Sequence, residues 1–261
     1  MALIDISLRG SNAIGRMSQF KAIVPEGKKG PFPVLYLLHG LSDDHTAWTA
    51  RTSLERYVES MPLIVVMPNG HRSWYTNAAG KPNENFETYI VSELVSFVDA
   101  TFPTIPTAQG RALAGLSMGG YGAVKLAVKN PDLFCAAHSF SGALDMASRQ
   151  GGAEDAWSRE LNLIFGNHLT DGTEDIFAIV KNTPKPALPA ISFDCGIDDF
   201  LIEHNRKLHA HLDKLDIAHI YQEYPGDHNW QYWDLHIQDA LPWIAKQLGI
   251  ADPPAEPAVE E

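Results

Sequence analysis

The sequence predicts an α/β fold with a mostly parallel central sheet covered by helices on both faces. Three observations predict it. Short apolar runs bounded by turn residues recur at 34–38, 63–67, 135–140 and 190–195, and such runs suit strands buried on both faces. Segments with helical spacing alternate with them, at 88–102, 201–215 and 231–248. Between an apolar run at 112–114 and a helical segment at 121–128 lies Gly115-Leu116-Ser117-Met118-Gly119, a G-x-S-x-G pattern that demands a tight strand-to-helix turn.

Taken in order, residues 3–9 and 17–24 are expected as two early strands joined by a turn at 10–15. Pro25 to Pro31 is rich in glycine and lysine and reads as a surface turn. The strand at 34–38 ends at His39-Gly40-Leu41, a candidate oxyanion loop in which His39 fixes the loop by hydrogen bonding and transfers no proton. A helix is expected over 51–59 and a strand over 63–67, followed by a polar, aromatic loop at 71–84. The 88–102 helix carries Ile90, Leu94, Phe97 and Val98 on one side and is ended by Pro103. After the strand at 135–140, residues 146–186 do not repeat the strand–helix unit, and a small helical insertion partly roofing the site is expected there. The strand at 190–195, the helix at 201–215, the strand at 217–224 and the helix at 231–248 close the fold.

Composition bounds the function classes. The chain has 20 Lys plus Arg against 32 Asp plus Glu, a formal net charge of -12, and no basic cluster suited to a phosphate backbone, so nucleic acid is not an expected partner. No stretch has the length needed to cross a bilayer, and the N-terminal residues carry no long apolar core, so a cytoplasmic protein without a membrane partner is expected. Cys135 and Cys195 sit in apolar runs and read as free buried thiols. No H-E-x-x-H or Cys/His cluster suggests a metal, and no cofactor is expected. Residues 1–250 are expected as one domain, followed by a Pro- and Glu-rich disordered tail at 251–261. Nothing in the sequence speaks to oligomeric state.

In parallel sheets ligands sit at the carboxyl ends of the strands, and the chemically suspicious residues fall there. A serine hydroxyl is a poor nucleophile without a base in reach and a third group to orient that base. Ser117 is the candidate nucleophile. His228, in a Gly-Asp-His loop after the last strand, is the candidate base, because imidazole exchanges protons near neutral pH. For the acid, Asp194, Asp198, Asp199 and Asp145 all lie near strand ends. Asp198 sits in the loop proper, whereas Asp199 is expected to point elsewhere and cap the following helix. His204, His209, His211 and His236 fall on helices and read as surface or packing residues, His138 as a satisfied core histidine, and no chemistry is found for His168. Trp48, Trp74, Tyr75 and Trp230 lie in strand-end loops and are expected to form an aromatic wall around the site that suits short acyl groups.

From Phe20 to Leu248 the chain resembles the putative-esterase family of α/β-hydrolases, which includes esterase D, S-formylglutathione hydrolases, the antigen-85 mycolyltransferases and small bacterial carboxylesterases. The resemblance rests on LYLLHGLSDDHTAW at 35–48, VVMPNGHRSWYTN at 65–77, RALAGLSMGGYGAVKLAVKNPDLF at 111–134, FDCGIDDFL at 193–201 and YPGDHNWQYW at 224–233. It implies an α/β-hydrolase fold and a serine carboxylesterase acting on a small-molecule ester. It also implies that the acid is the first Asp of the Gly-x-Asp-Asp loop, Asp198, and that the oxyanion amides are those of Leu41 and Met118. S-formylglutathione hydrolases usually carry a cysteine just after His-Gly-Leu, where this chain has Ser42-Asp43-Asp44-His45, which favours a general carboxylesterase. An S-formylglutathione hydrolase, an acetyl or feruloyl esterase, an acyltransferase, and a non-catalytic binding module on the same fold are the alternatives.

Overall fold

A computed structural model describes residues 1–149, 155–166 and 169–250. His168 and the tail at 251–261 therefore lie outside the described residues. Among the described residues eight strands form one sheet: β1 (Ala2–Leu8), β2 (Ser18–Val24), β3 (Val34–Leu38), β4 (Ile64–Pro68), β5 (Arg111–Leu116), β6 (Ala136–Phe140), β7 (Ala190–Gly196) and β8 (His219–Tyr224). Their spatial order is β1-β2-β4-β3-β5-β6-β7-β8. β1 and β2 pair antiparallel, as do β2 and β4, and every other neighbouring pair is parallel.

The sheet separates two apolar layers, and the two-residue period of each strand assigns its side chains to them. On β3, Val34, Tyr36 and Leu38 join one layer while Leu35 and Leu37 join the other. The second layer is roofed by α1 (Ala47–Arg51) and α2 (Leu54–Tyr57), through Trp48 and Leu54, and by a long C-terminal helix. Thr52 falls extended between α1 and α2, so the single helix expected over 51–59 is instead two short ones.

The first layer is covered by a helical stretch that begins with α3 (Phe86–Thr88), runs through a π segment (Tyr89–Leu94) and ends in α4 (Val95–Thr101). The widened π turn falls where Glu93 receives the Ser11 hydroxyl and the Ala13 amide, the latter at 2.9 Å, so the stretch is pinned to the turn after β1. Along the same face lie α5 (Met118–Lys129), α6 (Ala156–Phe165), α7 (Ile176–Asn182) and α8 (Ile202–Lys214). The C-terminal helix of the opposite layer is α9 (Trp230–Gln247).

The segment at 146–186 between β6 and β7 is helical where described, in α6 and α7. Trp157 and Phe165 pack edge-on or tilted against Trp74, and Arg72 forms a two-armed ion pair with Glu160 at 2.8 and 2.7 Å. The insertion thus docks on the 69–84 loop beside the site. Among the described residues it contributes none to the lining of the cleft above Ser117, while its Glu160 and Ile164 border the adjoining recess.

Candidate active site

β5 delivers the chain to Ser117 and α5 takes it away in the next residue. Ser117 has φ 53° and ψ -113°, a conformation side chains avoid, at a cost of roughly 1–3 kcal/mol. Three backbone bonds hold it there: its amide donates to Phe140 O at 2.9 Å, and its carbonyl accepts from Tyr121 and Ala143 at 3.1 and 3.2 Å. The close approach of α5 to β3 requires glycine at 119, because a Cβ there would lie 2.5 Å from Leu38 O and 2.7 Å from His39 O.

The imidazole of His228 bridges two side chains. Its Nε2 lies 3.0 Å from Ser117 Oγ, and its Nδ1 lies 2.7 Å from Asp199 Oδ2. The ring is held between Phe200, 4.6 Å away between centroids, and Trp233, at 4.9 Å and edge-on. Asn229 caps α9 by accepting from the Tyr232 amide at 3.0 Å, which fixes the chain immediately after His228.

The carboxylate beside His228 is Asp199, not Asp198. Asp198 continues the β7 exit, its amide donating to Gly226 O at 3.0 Å, and its side chain is exposed to solvent. The chain then turns, with the Asp199 amide closing on Gly196 O at 3.1 Å, and the next carboxylate faces inward with only 2% exposure. Gly196 permits this crossing, since a Cβ there would lie 2.3 Å from Gly226 O. The expected capping role of Asp199 is present as well: its Oδ1 accepts from the Leu201 amide at 2.7 Å. The other two candidates are engaged elsewhere. Asp194 binds His138 at 2.9 Å and the Tyr232 hydroxyl at 2.7 Å, which also makes His138 a satisfied core histidine. Asp145 binds Lys207 at 2.7 Å.

Beside Ser117 lies the His39-Gly40-Leu41 turn. His39 Nδ1–H donates to Gly40 O at 2.7 Å, and its Nε2 accepts from the Gly70 amide at 2.8 Å. Burial lowers its pKa to about 4, so the ring is a neutral brace between two loops. Leu41 borders the cleft above Ser117, and Met118 is the first residue of α5. Neither amide donates to another group among the described residues. Two free N–H groups next to a serine hydroxyl, one at a helix N-terminus, can receive a developing negative charge.

The cleft above Ser117 encloses about 490 Å³, and Leu41, Phe200, Trp230 and Trp233 supply much of its apolar lining. The aromatic wall expected from sequence is corrected here: of its four residues only Trp230 borders the cleft. Trp48 is fully buried, donates from Nε1 to Leu38 O at 3.1 Å and meets Trp230 edge-on from behind. Trp74 is buried among Tyr121, Trp157 and Phe165. Tyr75 is fully buried, with its hydroxyl donating to His39 O at 3.0 Å. These three indoles and phenols sit at strand ends, as the sequence indicates, but the loops fold their rings into the core, where apolar area is removed from water. Phe200 and Trp233 are the aromatic neighbours that sequence reasoning missed. The helical step from Trp230 to Trp233 was the available signal.

A second, polar recess of about 560 Å³ shares Leu41, Ser42 and Asp43 with this cleft and extends toward Arg72 and Glu160. Burial raises the pKa of Asp43, where the two recesses meet.

Comparison with known proteins matches residues 11–244 to the family model described as "Putative esterase". An acetyl esterase from Caldicellulosiruptor saccharolyticus is 31% identical over 221 residues, covering 81% of this chain and 83% of that protein. Among solved structures, a fluorophosphonate-binding serine hydrolase of Staphylococcus aureus superposes with a TM-score of 0.84 at 29% identity, covering 93% of this chain and 98% of that one. An S-formylglutathione hydrolase of Staphylococcus aureus superposes with a TM-score of 0.82, at the same 29% identity and the same coverage.

Proposed function

The chain belongs to the putative-esterase family of α/β-hydrolases and is a carboxylic ester hydrolase, and from that premise we propose that it is a serine carboxylesterase for short-chain acyl esters, working through Ser117, His228 and Asp199. The observation that carries this reading is the unbroken series of contacts from Ser117 Oγ through the His228 ring to Asp199, at 3.0 and 2.7 Å. His228 Nε2 takes the hydroxyl proton as Ser117 Oγ attacks the ester carbonyl. The amides of Leu41 and Met118 hold the tetrahedral oxyanion. His228 then returns the proton to the departing alcohol, leaving an acyl-serine, and activates the water that releases the acid. Asp199 holds the ring with Nδ1 protonated and stabilises the imidazolium.

The small cleft bounded by Leu41, Phe200 and Trp230 supports a short acyl group. The name of the Caldicellulosiruptor relative, an acetyl esterase, agrees with it. No helix among the described residues is long and apolar enough to cross a membrane. We place the enzyme in the cytoplasm, a site that the unpaired Cys135 and Cys195 suit, and recovery of the native protein outside the cell would remove this part of the reading. The test of the reaction is hydrolysis of p-nitrophenyl acetate. Ser117→Ala is expected to lower kcat/KM by about 1,000-fold or more, and a rate equal to wild type would overturn the assignment.

A further inference from the structure

We propose that His209, Asp213 and His219 bind a divalent first-row transition ion at the end of the sheet opposite Ser117. His209 and Asp213 stand one turn apart on α8, and His219 is the first residue of β8, across the turn at 215–218. One ligand atom from each lies within 4.8 Å of the other two. The group lines an open recess of about 590 Å³, so an ion has an entry path.

The hydrogen bonding around His219 leaves one ring nitrogen ready for a cation. The His219 side chain is only 4% exposed, and its Nδ1–H donates to Ile217 O at 2.8 Å. That bond fixes the tautomer and leaves Nε2 as a lone pair aimed at its neighbours, the usual outer support of a metal-binding imidazole. His209 Nδ1 lies 2.8 Å from this lone pair, so the two imidazoles face one another. The other ring nitrogen of His209, Nε2, lies 3.5 Å from Asp213 Oδ2. Asp213 Oδ1 is 3.9 Å from His219 Nε2, and separations near 3.4 Å are what ligand atoms about 2.1 Å from a tetrahedral ion require. The side chains that must adjust are accessible, His209 at 40% and Asp213 at 61% exposed.

Two imidazoles and one carboxylate suit zinc, cobalt, nickel or copper and not magnesium or calcium, with water completing the shell. Asp216 borders the same recess, but its carboxylate is paired with Lys185 at 3.0 Å. The site's role is a clip. α8 starts just after Asp199 and β8 ends just before His228, so an ion at the far end ties together the two segments that carry these residues.

The experiment is calorimetric titration of the metal-stripped full chain with zinc chloride, repeated with cobalt to read its visible absorption. One ion per chain is expected, with tetrahedral-type cobalt bands and a rise in Tm of about 5 °C at saturating zinc. His209→Ala and His219→Gln should each weaken binding roughly 100-fold, and the double variant His209→Ala/Asp213→Asn, altered only at accessible positions, should abolish the cobalt bands. An absence of stoichiometric binding, or a double variant that keeps the affinity and spectrum of wild type, would overturn the proposal. The site stands apart from the esterase reading: chelation should leave p-nitrophenyl acetate hydrolysis unchanged at a temperature well below Tm, and a protein that binds zinc without hydrolysing esters would sink only the other proposal.

Discussion

One carboxylate, Asp199, does two jobs: Oδ1 caps the turn into α8 at Leu201, and Oδ2 holds the ring of His228. Asp199→Asn is expected to lower kcat by about 1,000- to 10,000-fold, because an amide can favour the wrong imidazole tautomer, while Asp198→Asn stays within about twofold of wild type. Measured kcat values for the two folded variants check this, and a reversed order would return the role to Asp198. His39 sets a different pH dependence. Its pKa is lowered by burial to about 4, whereas an unfolded histidine titrates near 6.5. Between these values the unfolded chain binds a proton that the folded one does not. The resulting stability is present in full above about pH 6.5 and is lost as pH falls towards and through about 4, by about 3 kcal/mol. Urea unfolding at pH 7 and pH 4.5 should show His39→Gln losing less stability on acidification than wild type. Equal losses would mean that His39 does not carry the effect.

At the scale of elements, α5 is held by more than apolar packing. Lys125 is fully buried, and its ammonium donates to Tyr75 O at 2.8 Å, Thr76 Oγ1 at 2.7 Å and Glu174 Oε2 at 2.6 Å. Lys129 meets Glu87 and Glu174, each at 2.8 Å. The helix that carries Ser117 at its start is thereby joined to the aromatic loop and to the segment leading into α7. Lys125→Met removes one charge and strands the acceptors around it, so a loss of about 3–5 kcal/mol is expected from chemical unfolding. Pairing it with Glu174→Leu should recover part of that loss, because the remaining Lys129–Glu87 pair is balanced. A single variant as stable as wild type would show the network to be dispensable.

The whole molecule brings two recesses to one loop: the apolar cleft over Ser117 and the polar one beyond Asp43. With Phe200 and Trp230 bounding the first, p-nitrophenyl acetate to butyrate should be turned over fastest and dodecanoate at least about tenfold more slowly, as a small cleft leaves a long chain in water. A chain-length series measured below the micelle limit decides it, and a maximum at dodecanoate would contradict the cleft's size. The sequence by itself determined the sheet and the turns: apolar runs such as 34–38 can be buried only between two layers, and Gly115-Leu116-Ser117-Met118-Gly119 admits only a sharp strand-to-helix turn. It also named Ser117 and His228 as candidates, the first from that turn and the second from its place in the loop after the last strand. Tertiary structure alone decided which of Asp198 and Asp199 contacts His228, since a turn closing on Gly196 sets which of two adjacent carboxylates faces inward. It likewise sent Trp48, Trp74 and Tyr75 into the core and brought Phe200 and Trp233 to His228. Loop aromatics go wherever packing removes most of their surface from water, and that depends on partners distant in sequence.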